Sequence, residues 1–385
     1  MADKTPAAFD PERNAQLFKD FTERSQRIMN SFMECQKMDG NYSVIDPVQV
    51  GSMFMDAATK MMSDPAKFAA AQTQLMQGYA DLWQATAKRM SGEEVDPIVE
   101  PSPGDRRFKD SAWSDEAVFD HIKQSYLLAS NWLTDQVRDV DDVDDKTREK
   151  LAFYTRQWVD AMSPTNFAVT NPKVLKTASE TNGESLIKGL DQLLGDLEKG
   201  KGDLRISMTD TEAFELGKNV AVSEGKVIYQ NDMMQLLQYA PSTKKVAKRP
   251  LLIVPPWINK FYILDLQPKN SLIKWAVDQG HTVFVISWVN PDEKHADKGF
   301  EDYMLEGPLA AMEAMALATG EKDLNVIGYC IGGTLTASTL AYLAAAKDTR
   351  IKSATFLTTM VDFSEPGELG VFIDEEQLER LEEHM

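Results

Sequence analysis

The stretch that decides the fold is "LNVIGYCIGGTLTAS", residues 324–338. It reads as a buried strand, a glycine-flanked reactive side chain and the opening of a helix. At its centre, Gly328-Tyr329-Cys330-Ile331-Gly332 fits the pattern G-x-nucleophile-x-G, with cysteine in the reactive position. A strand that turns sharply into a helix lifts that side chain above the sheet edge. The flanking glycines are needed because the turn brings backbones together with no room for a Cβ. The helix start also turns partial positive charge toward the sulfur, which suits an attacking anion. The competing reading is a buried structural cysteine in a glycine-rich turn.

Working outward, strand and helix patterns alternate on both sides of this turn. "RPLLIVPPW" (249–257), "HTVFVISWV" (281–289), "LNVIGYC" (324–330) and "IKSATFLTTMVDF" (351–363) read as strands. Between them, "SLIKWAVDQG" (271–280), "YMLEGPLAAMEAMALATG" (303–320) and "GTLTASTLAYLAAAKD" (333–348) read as helices. Continuous apolar strands alternating with helices predict a parallel sheet covered on both faces, hence an α/β protein, and the elbow is that of the α/β-hydrolase class. Ahead of this, "NVAVSEGKVIYQ" (219–230) alternates on both sides of Glu224-Gly225 and predicts a β-hairpin turning there.

The first two hundred residues have the period of helices. Leu17, Phe18, Phe21, Ile28, Met29, Phe32 and Met33 draw one stripe along residues 12–36. A second pattern in 50–63 stops near Asp64-Pro65, and a third runs from there to about Met90. Methionine is dense here, which suits either packing between helices or a face kept for a partner or an apolar product. "SGEEVDPIVEPSPGDRRFKD" (91–110) reads as a linker or extended arm, and 117–137 and 146–164 as further helices, the last ended by Ser163-Pro164.

Composition narrows the function. With 43% hydrophobic and 26% charged residues and no apolar run near eighteen residues, the 385-residue chain is expected to be soluble and without a transmembrane segment. "MADKTPAAFDPERN" carries no secretory signal, so a cytoplasmic protein is expected. A formal net charge of −19 repels phosphate backbones and argues against nucleic acid. The two cysteines, Cys35 and Cys330, are expected to stay reduced.

Acyl transfer at Cys330 requires an oxyanion hole. The Ile331 N–H, directly after the nucleophile, is one expected donor. A second is expected from the loop "PPWINKFYILDL", where Pro255 and Pro256 have no N–H and Ile258 is the choice. Cysteine rather than serine points to thioester exchange: a thioester passed to a thiolate stays activated for an alcohol acceptor, whereas an ester would not. No cofactor is expected and no metal site, the thioester being the substrate.

A base is harder to find. In this class the order is nucleophile, acid, histidine, and only His384 follows Cys330, within the polar pattern "DEEQLERLEEHM". His121 and His281 read as structural and His295 as solvated; Asp362 is either an acid or a turn cap. The expectation is a truncated chain whose sheet lacks its last strands.

The residues resemble a known family. From about Gly104 on, "QWVDAMSPTNFAVTNP", "GKNVAVSEGKVIYQND", "LLQYAP", "RPLLIVPPWINKFYILDLQP", "QGHTVFVISWVNPD" and "NVIGYCIGGT" are similar to class I poly(3-hydroxyalkanoate) synthases. The resemblance implies an acyltransferase of polyhydroxybutyrate biosynthesis. Cys330 would take an (R)-3-hydroxyacyl group from coenzyme A, and a second unit's hydroxyl would extend the polyester. It implies residues 1–105 as a helical region with linker for granule contact, partner contact and dimerisation. Residues 106–203 become a helical part of the synthase N-terminal domain, and 204–385 a partial α/β-hydrolase catalytic domain. It also implies a homodimer on polyhydroxyalkanoate granules, phasin-type granule proteins as partners, and a catalytic aspartate and histidine beyond residue 385. A cysteine hydrolase of the thioesterase or dienelactone hydrolase type, or a non-catalytic granule-binding fragment, are the alternatives.

Overall fold

The computed structural model describes residue 28 and residues 47–384. Ile28 is helical, and the rest of the expected stripe over 12–36 lies outside the described residues. The chain forms two units, one within Met1–Ser207 and Pro366–Met385, the other Met208–Glu365.

In the first unit, local chemistry sets the helix ends. The Asp64 carboxylate accepts the Ala66 and Lys67 N–H groups, and Pro65 takes the first helical position, where no donor is lost. Helices α1 (Pro47–Met62) and α2 (Pro65–Met90) therefore meet at the expected break. The arm over 91–110 is irregular, as its prolines require, and the Gln124 side-chain oxygen accepts the Ile98 and Val99 N–H groups at 2.7 and 3.2 Å. Then follow α3 (Ala112–Asp115), α4 (Ala117–Arg138), α5 (Asp145–Ala161), α6 (Pro172–Glu180) and α7 (Glu184–Lys199).

The second unit is built on a six-stranded sheet in the order β1-β2-β6-β3-β7-β8. Its strands are β1 (Gly225–Gln230), β2 (Met234–Tyr239), β3 (Leu251–Val254), β6 (Val283–Trp288), β7 (Leu324–Tyr329) and β8 (Ile351–Leu357). β4 (Asp265–Gln267) and β5 (Asn270–Ser271) form a separate ribbon. β3, β6, β7 and β8 run parallel, while β2 joins β6 antiparallel.

Helices α8 (Leu272–Asp278), α9 (Phe300–Met304), α10 (Ala310–Thr319) and α11 (Ile331–Ala345) connect the parallel strands. Ile273, Ala276 and Val277 of α8 bury with Ile253, Val283 and Val285 on one face. Met312 and Met315 of α10 and Leu335 and Leu343 of α11 bury with Leu252, Phe284 and Val326 on the other. The sheet is therefore covered on both faces along β3, β6 and β7. β8 departs from that expectation: it has a neighbour on one side only and exposes Lys352, Ser353, Thr355 and Phe356.

The hairpin also differs from the expected one. Its arms are β1 and β2, and the turn lies at 231–233 rather than at Glu224-Gly225. Residues 219–223 cannot pair as a strand because Asp265 engages them. The Ser223 N–H and hydroxyl donate to the buried Asp265 carboxylate at 3.1 and 2.7 Å, and the Ala221 N–H donates to its carbonyl.

After β8 the chain re-enters the first unit through a turn of 3₁₀ helix (Gly367–Phe372) and α12 (Glu375–His384). Lys150 pairs with Asp374 there, and the Phe153 and Phe372 rings meet edge to face at 5.3 Å. Among the described residues, no helix is long and apolar enough to cross a membrane.

Candidate active site

Cys330 stands between the end of β7 and the first residue of α11, with φ 54° and ψ −127°. This is strained backbone for a residue with a Cβ, of the kind that persists only where the surroundings over-determine it. Those surroundings are on three sides. The Cys330 N–H donates to the Leu357 carbonyl of β8 at 2.9 Å, and the Cys330 carbonyl accepts the Gly333 N–H at 2.9 Å. A Cβ on Gly328 would lie 2.5 Å from the Gly333 Cα, and one on Gly332 would lie 2.3 Å from the Val254 carbonyl oxygen. Both contacts are with backbone that cannot move aside, so the spacing that the motif predicts is a steric requirement of this turn. The thiol itself is exposed and makes no capping hydrogen bond, which disposes of the buried structural cysteine.

Two supports were not legible in the motif. Gly333 is also confined, since a Cβ there would sit 1.9 Å from the Thr359 Oγ1 and that side chain would have to shift. The Thr334 hydroxyl donates to the Met360 carbonyl at 2.7 Å, which ties α11 to the loop after β8. That loop begins at Thr358, another residue at positive φ (46°). The doubled glycine of "CIGGT" was the available signal; the threonine contacts are non-local and gave none.

Of the two expected oxyanion donors, Ile331 opens α11, so its N–H has no carbonyl partner within the helix. Ile258 lies in the turn after β3 and is 76% exposed. The root of that turn lies against the elbow: the Pro255 carbonyl oxygen is 2.6 Å from where a Gly332 Cβ would stand.

Within the sheet unit, neither the His281 nor the His295 ring is hydrogen-bonded to the Cys330 sulfur. His121 Nδ1 lies 2.9 Å from the Thr86 hydroxyl in the first unit, and His281 Nδ1 is buried without a hydrogen-bond partner two residues before β6. His295, expected to be solvated, is instead pinned: its side chain is 9% exposed, with Nδ1 2.8 Å from Asp292 and Nε2 3.1 Å from the Asp232 carbonyl. The Asp232 carbonyl, then the Asp292 carboxylate, raise its pKa above the ordinary histidine value. The expectation failed because the short loop folds back on the β1–β2 turn, a contact far away in sequence. Asp362 caps a turn, accepting the Ser364 N–H at 3.0 Å, and this bond holds its carboxyl below the usual carboxylate range. Among the described residues, no group of three or more His, Cys, Asp or Glu side chains could hold a metal ion.

Residues 104–276 match the family model described as the poly-beta-hydroxybutyrate polymerase (PhaC) N-terminus. The chain is 55% identical over 328 residues to a poly(3-hydroxyalkanoate) polymerase of Methylorubrum extorquens, covering 85% of this chain and 54% of that protein. It is 51% identical over 324 residues to the polymerase subunit PhaC of Rhizobium meliloti (strain 1021), covering 84% and 53%. To the subunit PhaC of Cupriavidus necator (strain H16 among its designations) it is 44% identical over 321 residues, covering 83% and 53%. The chain thus spans about half the length of the curated relatives it matches. On these similarities, residues 104–276 belong to the poly-beta-hydroxybutyrate polymerase N-terminal family, and the chain is similar to poly(3-hydroxyalkanoate) polymerases over about half of their length.

Proposed function

We propose that this chain carries the nucleophile of a class I poly(3-hydroxyalkanoate) synthase, on an α/β-hydrolase fold. The observation that carries the reading is the strained, exposed Cys330 at a strand-to-helix turn. Its thiolate attacks the carbonyl carbon of an (R)-3-hydroxyacyl-CoA, short acyl chains first among them. The carbonyl oxygen takes up negative charge that the Ile331 and Ile258 N–H groups meet. When the oxyanion collapses, the bond to the coenzyme A sulfur breaks, coenzyme A leaves as the thiolate and takes its proton from solvent, and the acyl group stays on Cys330 as a thioester. The hydroxyl of a second unit then attacks that thioester and lengthens the polyester, with an aspartate and a histidine from outside this sequence as acid and base.

The polymer accumulates as granules in the cytoplasm, where the protein works as a homodimer beside phasin-type proteins. Exposed Met55, Met62, Met76 and Met90 on α1 and α2 support an apolar product or partner surface there. With (R)-3-hydroxybutyryl-CoA, coenzyme A release should reach about one equivalent per chain, accompanied by a mass increase on the Cys330 peptide. Steady release of free acid would instead make this a hydrolase, and no acylation at all a non-catalytic granule protein.

A further inference from the structure

The helical pattern over 303–320 is interrupted at Gly307-Pro308. Between α9 and α10, Leu305–Leu309 form one turn of π-helix containing Pro308. Such turns open a helix locally and recur at functional sites. Here the opening is occupied by an indole: a Cβ on the buried Gly307 would lie 2.3 Å from Cη2 and 2.8 Å from Cζ3 of Trp288. The Asn231 side chain fixes the turn from the β1–β2 hairpin, donating to the Glu306 carbonyl at 2.7 Å.

Trp288 ends β6, the strand next to β3. Its ring meets Tyr303 at 5.3 Å and Trp257 edge to face at 5.8 Å, and its Nε1–H donates to the Pro255 carbonyl at 2.8 Å. Pro255 is buried, and a buried carbonyl requires a donor. Pro255 and Pro256 bring no N–H of their own to this loop. The same Pro255 oxygen abuts Gly332, two residues after Cys330. One bond therefore fixes where the β3 loop leaves the sheet, and on which side of the nucleophile it lies.

We infer that Trp288 is a positioning residue for acyl transfer. Seated in the slot at Gly307, it holds the 255–260 loop against the elbow so that a backbone N–H from that loop meets the developing oxyanion. The inference rests on Cys330 being the acyl acceptor. It adds that the second donor is set by an indole bond rather than by the loop alone.

The test separates carbonyl chemistry from thiol reactivity. Acylation by (R)-3-hydroxybutyryl-CoA develops an oxyanion; alkylation by iodoacetamide, a displacement at saturated carbon, does not. Both rates are read at the Cys330 peptide by mass spectrometry on the full chain. In Trp288→Phe, which keeps a ring and loses the N–H, acylation should fall about tenfold or more while alkylation stays within about twofold of wild type. Gly307→Ala, which displaces the indole and leaves its N–H intact, should give the same split.

Acylation unchanged in Trp288→Phe overturns the inference. So does a parallel fall in both rates, since that reports a damaged elbow and not a displaced donor. Absence of wild-type acylation at Cys330 would remove the nucleophile reading itself, a result distinct from either.

Discussion

Replacing Cys330 with glycine should stabilise the protein, and more than replacing it with alanine does. Both substitutions delete the sulfur, which is exposed and makes no capping bond, so neither forfeits packing or a hydrogen bond of note. They differ in the Cβ, and at φ 54°, ψ −127° the Cβ is the source of strain. Holding a non-glycine residue in such a region costs about 1–3 kcal/mol, and glycine's extra freedom in the unfolded chain returns about 0.4–1 kcal/mol. Glycine should therefore lead alanine by about 1 kcal/mol, or about 2–4 °C in Tm for a unit of this size. At ordinary backbone angles the order is reversed. Scanning calorimetry with tryptophan fluorescence gives the comparison, Trp257, Trp275 and Trp288 reporting on the sheet unit. An alanine variant that melts at or above the glycine variant would refute the strain at position 330.

Three further outcomes follow from particular contacts. Gly332→Ala, whose Cβ would meet the Val254 and Pro255 carbonyls at 2.3 and 2.6 Å, should lose about 1–3 kcal/mol in denaturant unfolding and lose Cys330 acylation as well. His295 should titrate above the usual histidine value by NMR and move back down in Asp292→Asn. Because its folded pKa is raised, its contribution is complete at pH values below the unfolded pKa of about 6.5 and disappears as pH rises through the folded value. Asp292→Asn should therefore destabilise more at pH 6 than at pH 8, and equal effects would contradict this. Lys150→Ala removes one of the bonds that, together with the Gln377 N–H, hold the Asp374 carboxyl below the usual carboxylate range against its burial. Limited proteolysis should then cut residues 366–384 sooner than in wild type.

What could be read in advance was what short-range chemistry decides. The mostly apolar runs of β3, β6 and β7 announced strands covered on both faces, and Asp64-Pro65 announced a helix boundary. The glycines around Cys330 announced a turn too tight for side chains. β2 was missed because the doublets in "MMQLLQY" obscure a period of two. The hairpin was misplaced because Asp265, some forty residues further on, captures the segment that would have been its first arm. The π-turn was passed over although Gly307-Pro308 is a helix-interrupting pair, because the apolar residues on either side keep a helical period. The bond from Trp288 to Pro255 joins two strands whose adjacency the sequence does not spell out.

The outermost strand, β8, has a practical consequence. One whole row of its amide and carbonyl groups has no ladder partner in the six-stranded sheet, and little but Lys352 along it discourages a visitor. In concentrated solution, molecules should meet rim to rim, and the yield of monodisperse material should depend on this strip more than on net charge. A second lysine at the exposed Thr355 is the natural remedy for handling the protein.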